Sequence, residues 1–283
     1  MTPPTTAHKR TTGLGSLAIL GGGTMATALL TALLETGAVK TTEVTVTAKR
    51  AVTLKRLAER FGVRTTSDNR AAVAGARVVL LCVKPQVAPE VLEALSDGIA
   101  GSQIVISIVA GLTTRRMEAL LGDGAIVVRA MPNTPSRIGA GMTAVCGGRW
   151  AKCQHRQLAV DLFARLGRCL VLDEKHFDAV TGLSASGPAF LYVIIEALAE
   201  GGVKVGLPRA VATELAAQTC LGAARMVLES GHHPALLKDE VTTPAGCTVD
   251  GLLKLEEGGL RVTLIKAIVE ASRRAHALVE HGR

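Results

Sequence analysis

Three consecutive glycines close an apolar run in "LAILGGGTMATALL", residues 17–30, and a small-residue segment of helical period follows at once. Gly21, Gly23 and Ala26 fit G-x-G-x-x-A, a spacing suited to holding a pyrophosphate. The first glycine permits a tight turn, the second lets the backbone approach the phosphates, and the small third residue allows close helix–strand packing. A helix starting at Thr24 and Met25 adds free amides and the positive end of its dipole. A site for NAD commonly carries Asp or Glu at the end of the next strand. Here that place is Thr47-Ala48-Lys49-Arg50. Two cations without a carboxylate suit a 2′-phosphate, and a guanidinium matches phosphate geometry better than an ammonium does. The expected cofactor is therefore NADPH, with NADH as the alternative.

The elements needed to position this turn are present. Short β-branched runs at 17–20, 44–47, 63–65, 78–83, 104–108 and 126–130 alternate with helical stretches such as 25–35 and 53–61. Near-continuous Val/Ile/Leu strands between helices imply a sheet covered on both faces. The expected class is α/β, with a doubly wound Rossmann-type sheet. Residues 139–146 add a candidate strand and 152–166 a connecting helix. Two further stretches, "CVKPQ" at 82–86 and "MPNTP" at 131–135, fall beyond the carboxyl ends of strands, where such sheets bind ligands. After Asp173 the pattern is wholly helical, with segments at 188–200, 208–230, 244–257 and 260–280. Residues 189–199 are almost entirely apolar, so that helix must be covered on all sides, by a second copy of the chain if not by its own. The expected organisation is a flexible tail at 1–15, a nucleotide-binding domain at 16–173 and an all-α domain at 174–283.

A net charge of +8 fits an anionic substrate or cofactor. One Trp and one Tyr in 283 residues offer no stacking platform, so no nucleic-acid partner is expected. Six cysteines without C-x-x-C pairs or nearby His at ligand spacing indicate neither metal nor disulfide framework. They suit a reducing, cytoplasmic setting. The first 16 residues lack the apolar core of a secretory signal. No uncharged apolar run approaches the ~20 residues of a membrane span, and no membrane association is expected.

Together, "GGGTMA", "VKP", "MPNTP", "TGLSASGPAF", "GGVKVGLPR" and "LKDEVTTPAGCT" resemble, in order, the pyrroline-5-carboxylate reductase family, from about residue 17 to 280. The last four motifs are far more specific than a glycine turn. The resemblance implies reduction of L-1-pyrroline-5-carboxylate to L-proline, the last step of proline biosynthesis. It also implies a helical domain that binds substrate and interlocks in a homodimer, and assembly of dimers into rings of ten chains. Carried over by motif, Gly21, Gly22, Gly23, Thr24 and Met25 lie at the pyrophosphate and Arg50 and Asn69 at the adenosine end. Val83, Lys84 and Pro85 then line the cofactor, and Asn133 lies near the nicotinamide ribose. Thr243 is expected to cap a helix whose first turn holds Pro244. The amides of Gly246, Cys247 and Thr248 would form a carboxylate pocket, and the Thr248 hydroxyl would act on the ring nitrogen.

The chemistry has its own argument. Reducing a ketone creates an alkoxide and calls for a Lys or His acid, whereas a cyclic imine can arrive already protonated. The β-hydroxyacid reductases, a rival reading, carry Lys and then Asn one turn later on the helix after a glycine-rich start. "SGPAFLYVIIEALAEGG" has neither, and Lys204 is expected beyond that helix. Another NADP-dependent imine reductase and a non-catalytic NADPH sensor complete the alternatives. Four residues depart from the family pattern. Thr24 stands for Asn, Ala185 for Gly, Phe190 for Tyr and Ala245 for Gly, the last beside the expected carboxylate pocket.

Overall fold

In a computed structural model, residues 14–99 and 101–280 are described, side chains through 277. The tail expected at 1–15 lies outside them except for its end. There Leu14 is buried and its amide donates to the Ala38 carbonyl at 3.2 Å.

The chain runs β1 (Leu17–Leu20), α1 (Thr24–Glu35), β2 (Val44–Thr47), α2 (Ala51–Phe61), β3 (Arg64–Thr66), α3 (Asn69–Val73) and β4 (Val78–Leu81). It continues through α4 (Ala88–Glu93), β5 (Ile104–Ser107), α5 (Thr114–Leu121), β6 (Ile126–Met131), β7 (Gly141–Gly147), α6 (Cys153–Phe163), β8 (Gly167–Val171) and α7 (Phe177–Val180). The helices α8 (Gly187–Lys204), α9 (Arg209–Ser230), α10 (Pro234–Glu240), α11 (Cys247–Glu257) and α12 (Leu260–Glu280) follow.

The sheet order is β3-β2-β1-β4-β5-β6-β7-β8, the doubly wound order with two added strands. Strands β1 to β6 are parallel, β7 is antiparallel to β6, and β8 is parallel to β7. Alternation within β1 shows why its residues are apolar throughout. Leu17 and Ile19 join a core with Leu29, Leu33 and Leu57 of α1 and α2, while Ala18 and Leu20 join one with Val73, Leu92 and Met117 of α3 to α5. The strand at 167–171 was not expected from the sequence. Most of it is exposed or half-exposed, so it carries no continuous apolar run. Its Gly167, at φ 140, packs so tightly on the Gly141 backbone that no side chain fits.

By internal contacts the described chain forms two compact units. One spans 187–269 and the other joins 14–186 to 270–280, whereas the sequence suggested a division after 173. In the first unit α8 and α9 are linked by four residues, and its buried apolar cluster is Ala199, Ala212 and Ala216, with Ile195 and Val203 partly buried. Leu191, Val193, Leu215 and Val262 are more than half exposed. Within the helical stretch Glu174–Lys204 an 18-residue window reaches a mean hydropathy of 1.4, apolar enough by length and composition to cross a membrane. The expectation from the sequence concerned uncharged runs, and the apolar turns upstream of α8 are what bring this segment to a span's length.

The path out of the sheet is fixed by charge. Arg129 of β6, 2% exposed, donates to Glu174 Oε1 at 3.0 Å. Glu174 also accepts from the Thr114 amide at 2.8 Å and the Thr114 hydroxyl at 2.5 Å. The Phe177 ring covers the guanidinium at 4.8 Å. Glu174→Ala is expected to lower unfolding free energy by about 2–4 kcal/mol, less than for a fully buried pair because Glu174 is 27% exposed. Urea unfolding of the variant beside Glu174→Gln checks this, and a loss below about 0.5 kcal/mol would show that the pair contributes little.

Candidate active site

At the end of β1 the chain turns on Gly21, whose φ is 101°. A Cβ there would stand 2.8 Å from the Cys82 carbonyl oxygen and 3.1 Å from Val83 Cγ1, so only glycine lets β1 end this close to β4. The Gly21 amide lies 3.2 Å from both the Thr47 carbonyl and its Oγ1, joining the turn to β2. A Cβ on Gly22 would press on Leu57 Cδ1 at 2.5 Å, while one on Gly23 would meet nothing within 4 Å. Gly23 is the N-cap of α1 and offers no side-chain acceptor. The first helical bond runs from the Thr27 amide to the Gly23 carbonyl at 2.9 Å, so the amides of Thr24, Met25 and Ala26 lack intrahelical acceptors. Open space at Gly23 and three free donors on a positive dipole end are what a pyrophosphate needs, and the residues present fit that group.

A cavity of about 450 Å³ gathers Gly22, Gly23, Thr24 and Arg50. Arg50 is exposed and is the N-cap of α2. Val83 lies against Gly21. Asn69, half-buried, begins α3 behind the Asp68 cap, and Lys84 is the exposed N-cap of the 3-10 turn Pro85–Val87. Met25, Asn69, Val83, Lys84, Pro85 and Asn133 are not among the residues lining this cavity. Asn133 has its amide engaged elsewhere, accepting from the Met142 amide at 2.9 Å and donating to the Ser184 carbonyl at 3.3 Å. Burial pushes the Cys82 thiol up to about 12, which makes it a packing group and not a nucleophile at neutral pH. Sequence reasoning missed Arg56, Arg60 and Arg137, which line the same cavity. The spacing of Arg56 and Arg60 on α2 was a usable signal; nothing local marks Arg137. A second cavity of about 460 Å³, bordered by Ser16, Glu43 and Arg64, lies at the amino ends of β1 to β3, the wrong edge for a dinucleotide.

In the helical unit, Thr243 does not cap a helix. The helix α11 begins at Cys247 with Gly246 as its N-cap, and the Gly246 amide donates to the Thr243 carbonyl at 3.0 Å, closing a turn. Proline suits the second position of a turn as well as the first position of a helix, which is why the sequence misplaced this start. Gly246 is thus engaged, and the amides of Cys247 and Thr248, at the first two helical positions, are the free donors. Ala245 has φ 57°, the one positive value at a non-glycine among the described residues. That conformation costs an L-residue about 1–2 kcal/mol. Lys204, expected beyond its helix, is instead the last residue of α8, far from the glycine-rich start where a hydroxyacid reductase would need a lysine.

Both regions match known protein families. Residues 174–278 match the family described as pyrroline-5-carboxylate reductase dimerisation, and residues 16–111 match NADP oxidoreductase coenzyme F420-dependent. A pyrroline-5-carboxylate reductase of Synechocystis sp. is 42% identical over 93% of this chain and 97% of its own length. A solved pyrroline-5-carboxylate reductase of Coxiella burnetii is 36% identical with a TM-score of 0.86, covering 94% of this chain and 99% of that one. The Plasmodium falciparum pyrroline carboxylate reductase, solved with NADP bound, has a TM-score of 0.83 at 28% identity, covering 93% and 98%.

The turn's glycines are expected to separate in mutation. Gly21→Ala combines positive φ with a backbone collision and should cost about 2–4 kcal/mol of stability. Gly23→Ala should change stability by less than about 1 kcal/mol yet weaken dinucleotide binding, since its methyl occupies the open approach. Urea unfolding and dinucleotide titration of both variants distinguish the two roles. Equal losses on both measures would reject the separation.

Proposed function

The chain belongs to the pyrroline-5-carboxylate reductase family, and we propose on that footing that it reduces the cyclic C=N bond of L-1-pyrroline-5-carboxylate to give L-proline, the last step of proline biosynthesis. The observation that carries the reading is a likeness over 93% of the chain, with the glycine turn and the turn before α11 both inside regions that match family models. A bound NADPH, with NADH as the alternative, supplies the hydride.

The chain's own residues bind and orient. The amides of Thr24, Met25 and Ala26 hold the pyrophosphate, and Arg50 holds the 2′-phosphate. Asn69, Val83, Lys84, Pro85 and Asn133 border the rest of the cofactor. In the helical unit the amides of Cys247 and Thr248 hold the substrate carboxylate at the dipole end of α11. Thr243 and Gly246 shape the turn that presents them. The Thr248 hydroxyl orients the ring nitrogen, which arrives protonated and becomes the amine without a strong acid on the protein. Catalysis then rests on positioning, which can account for roughly 7–11 kcal/mol of barrier.

The apolar helical faces are covered in a homodimer, and dimers assemble further into a decamer. A second copy suits the charged residues interspersed on α9 and α12 better than lipid does. The cytoplasm suits the free thiols, of which Cys146 is buried and Cys82 and Cys169 are half-buried.

Addition of pyrroline-5-carboxylate is expected to oxidise NADPH faster than NADH, with proline as product. Turnover of a ketone and not the imine would overturn the assignment. Thr248→Val should lower kcat at unchanged NADPH affinity, and unchanged kcat would remove Thr248 from the chemistry. Ala245→Gly should lower the KM for pyrroline-5-carboxylate without altering that for NADPH, because it removes the methyl beside the carboxylate donors. An unchanged or higher substrate KM would dismiss that effect.

A further inference from the structure

Four guanidiniums, of Arg50, Arg56, Arg60 and Arg137, line the cavity beside the glycine turn, and none of its lining residues is acidic. None of the four joins an ion pair among the described residues. Glu59, the one acid of α2, faces Lys55 at 3.8 Å. Arg56 and Arg60 stand one turn apart on α2, a like-charge spacing that weakens a helix unless an anion sits nearby. Arg60 packs its guanidinium on the Phe61 ring at 4.8 Å, and at helical rise it lies about 15 Å along from Arg50, too far to share one phosphate. Arg56 is about 9 Å along, a span that two guanidinium arms can close. Arg137 comes from the 3-10 turn Thr134–Ile138 after β6, so cations enter the cavity from two elements remote in sequence. Of the hydroxyls lining the cavity, those of Thr27 and Thr31 are engaged, donating to the Gly23 and Thr27 carbonyls at 2.9 Å each.

We propose that Arg56 and Arg137, acting with Arg50, recognise a phosphate monoester, and that this group is the 2′-phosphate of the cofactor whose pyrophosphate lies on the glycine turn. They are specificity-determining residues for the phosphorylated dinucleotide. The inference rests on the functional reading above only in taking a nicotinamide dinucleotide as the ligand. One cation at the end of β2 distinguishes the two cofactors by a single contact. A cavity with three guanidiniums in reach and no acid adds contacts that only the phosphorylated form can make.

The test is equilibrium binding of NADPH and NADH to the full chain by calorimetry, for wild type, Arg56→Gln and Arg137→Gln. Arg115→Gln serves as a remote charge control, and inorganic phosphate is titrated in parallel. Arg56→Gln and Arg137→Gln should each lose about tenfold or more in NADPH affinity while NADH shifts by less than about twofold. Arg115→Gln should leave both affinities unchanged. Equal losses for both cofactors would place these arginines at the pyrophosphate or in the fold, and would overturn the proposal. Unchanged NADPH affinity with lost phosphate binding would overturn it too, making the cavity a separate anion site. Because binding is read and not turnover, a chain that shows the expected pattern yet fails to reduce pyrroline-5-carboxylate would reject the functional reading alone. A chain that binds neither cofactor would reject both.

Discussion

Glu174 accepts from donors on two separate elements, Arg129 of β6 and the amide and hydroxyl of Thr114 at the start of α5. Arg129 is nearly out of water, and a buried charge of that kind costs several kcal/mol unless paired. Its Nε and Nη2 make no hydrogen bond within the described residues, so the carboxylate and the Phe177 ring are its compensation. The carboxylate in turn takes the first free amide of α5, which no intrahelical carbonyl can reach. The chain therefore leaves the sheet at one fixed place. Asn133 makes a second tie, joining the end of β6 to β7 and to the π-helical segment Thr181–Ala185. Directional bonds hold this exit, where apolar packing alone would allow sliding.

Beyond that exit the balance of burial changes. Both faces of the sheet carry large aliphatic cores, while the unit of 187–269 buries a cluster of three alanines. Each alanine removes little apolar surface, and each ordered residue costs about 1–2 kcal/mol of backbone entropy. A unit of five helices or helix segments cannot meet that cost from such a core. Its exposed Leu, Val and Ile side chains hold the missing contribution, which the proposed homodimer would draw on. In the reading proposed above, association would contribute to the folding of this unit, and the apolar helices and the proposed substrate-binding turn would share one region of the sequence for that reason.

Where a single local pattern determines structure, the sequence was legible. The turn at Gly21 to Gly23, the burial of Ala26, the places of β1, β2, β4, β5 and β6, and the wholly helical region after Asp173 all follow from period and glycine spacing. The strand β8 was hidden because its residues alternate weakly and its place depends on the Gly141–Gly167 backbone contact, a long-range fact. The start of α11 was misplaced because Pro244 signals a helix and a turn equally, and the left-handed Ala245 cannot be read from its type. The helix α10 went unnoticed because seven residues give too few periods. Arg137 joins Arg50 only once the sheet brings the turn after β6 beside α1.

The departures from local rules also bear on chemistry. Gly246 and Thr243 bond each other, so only two amides at the start of α11 remain for an anion. Asp250 in the same first turn already draws on that dipole. A carboxylate held there is held by few contacts, and its binding depends on how well the turn presents them. Ala245 sits in that turn at a conformation glycine would adopt without strain. The strain is tolerable because the neighbouring turn bond from Gly246 to Thr243 fixes the backbone on one side and the helix fixes it on the other. With the lysine of α8 at the far end of its helix, the proposed site would have orientation as its main resource, and an imine that arrives carrying its own proton is a substrate for which orientation would suffice.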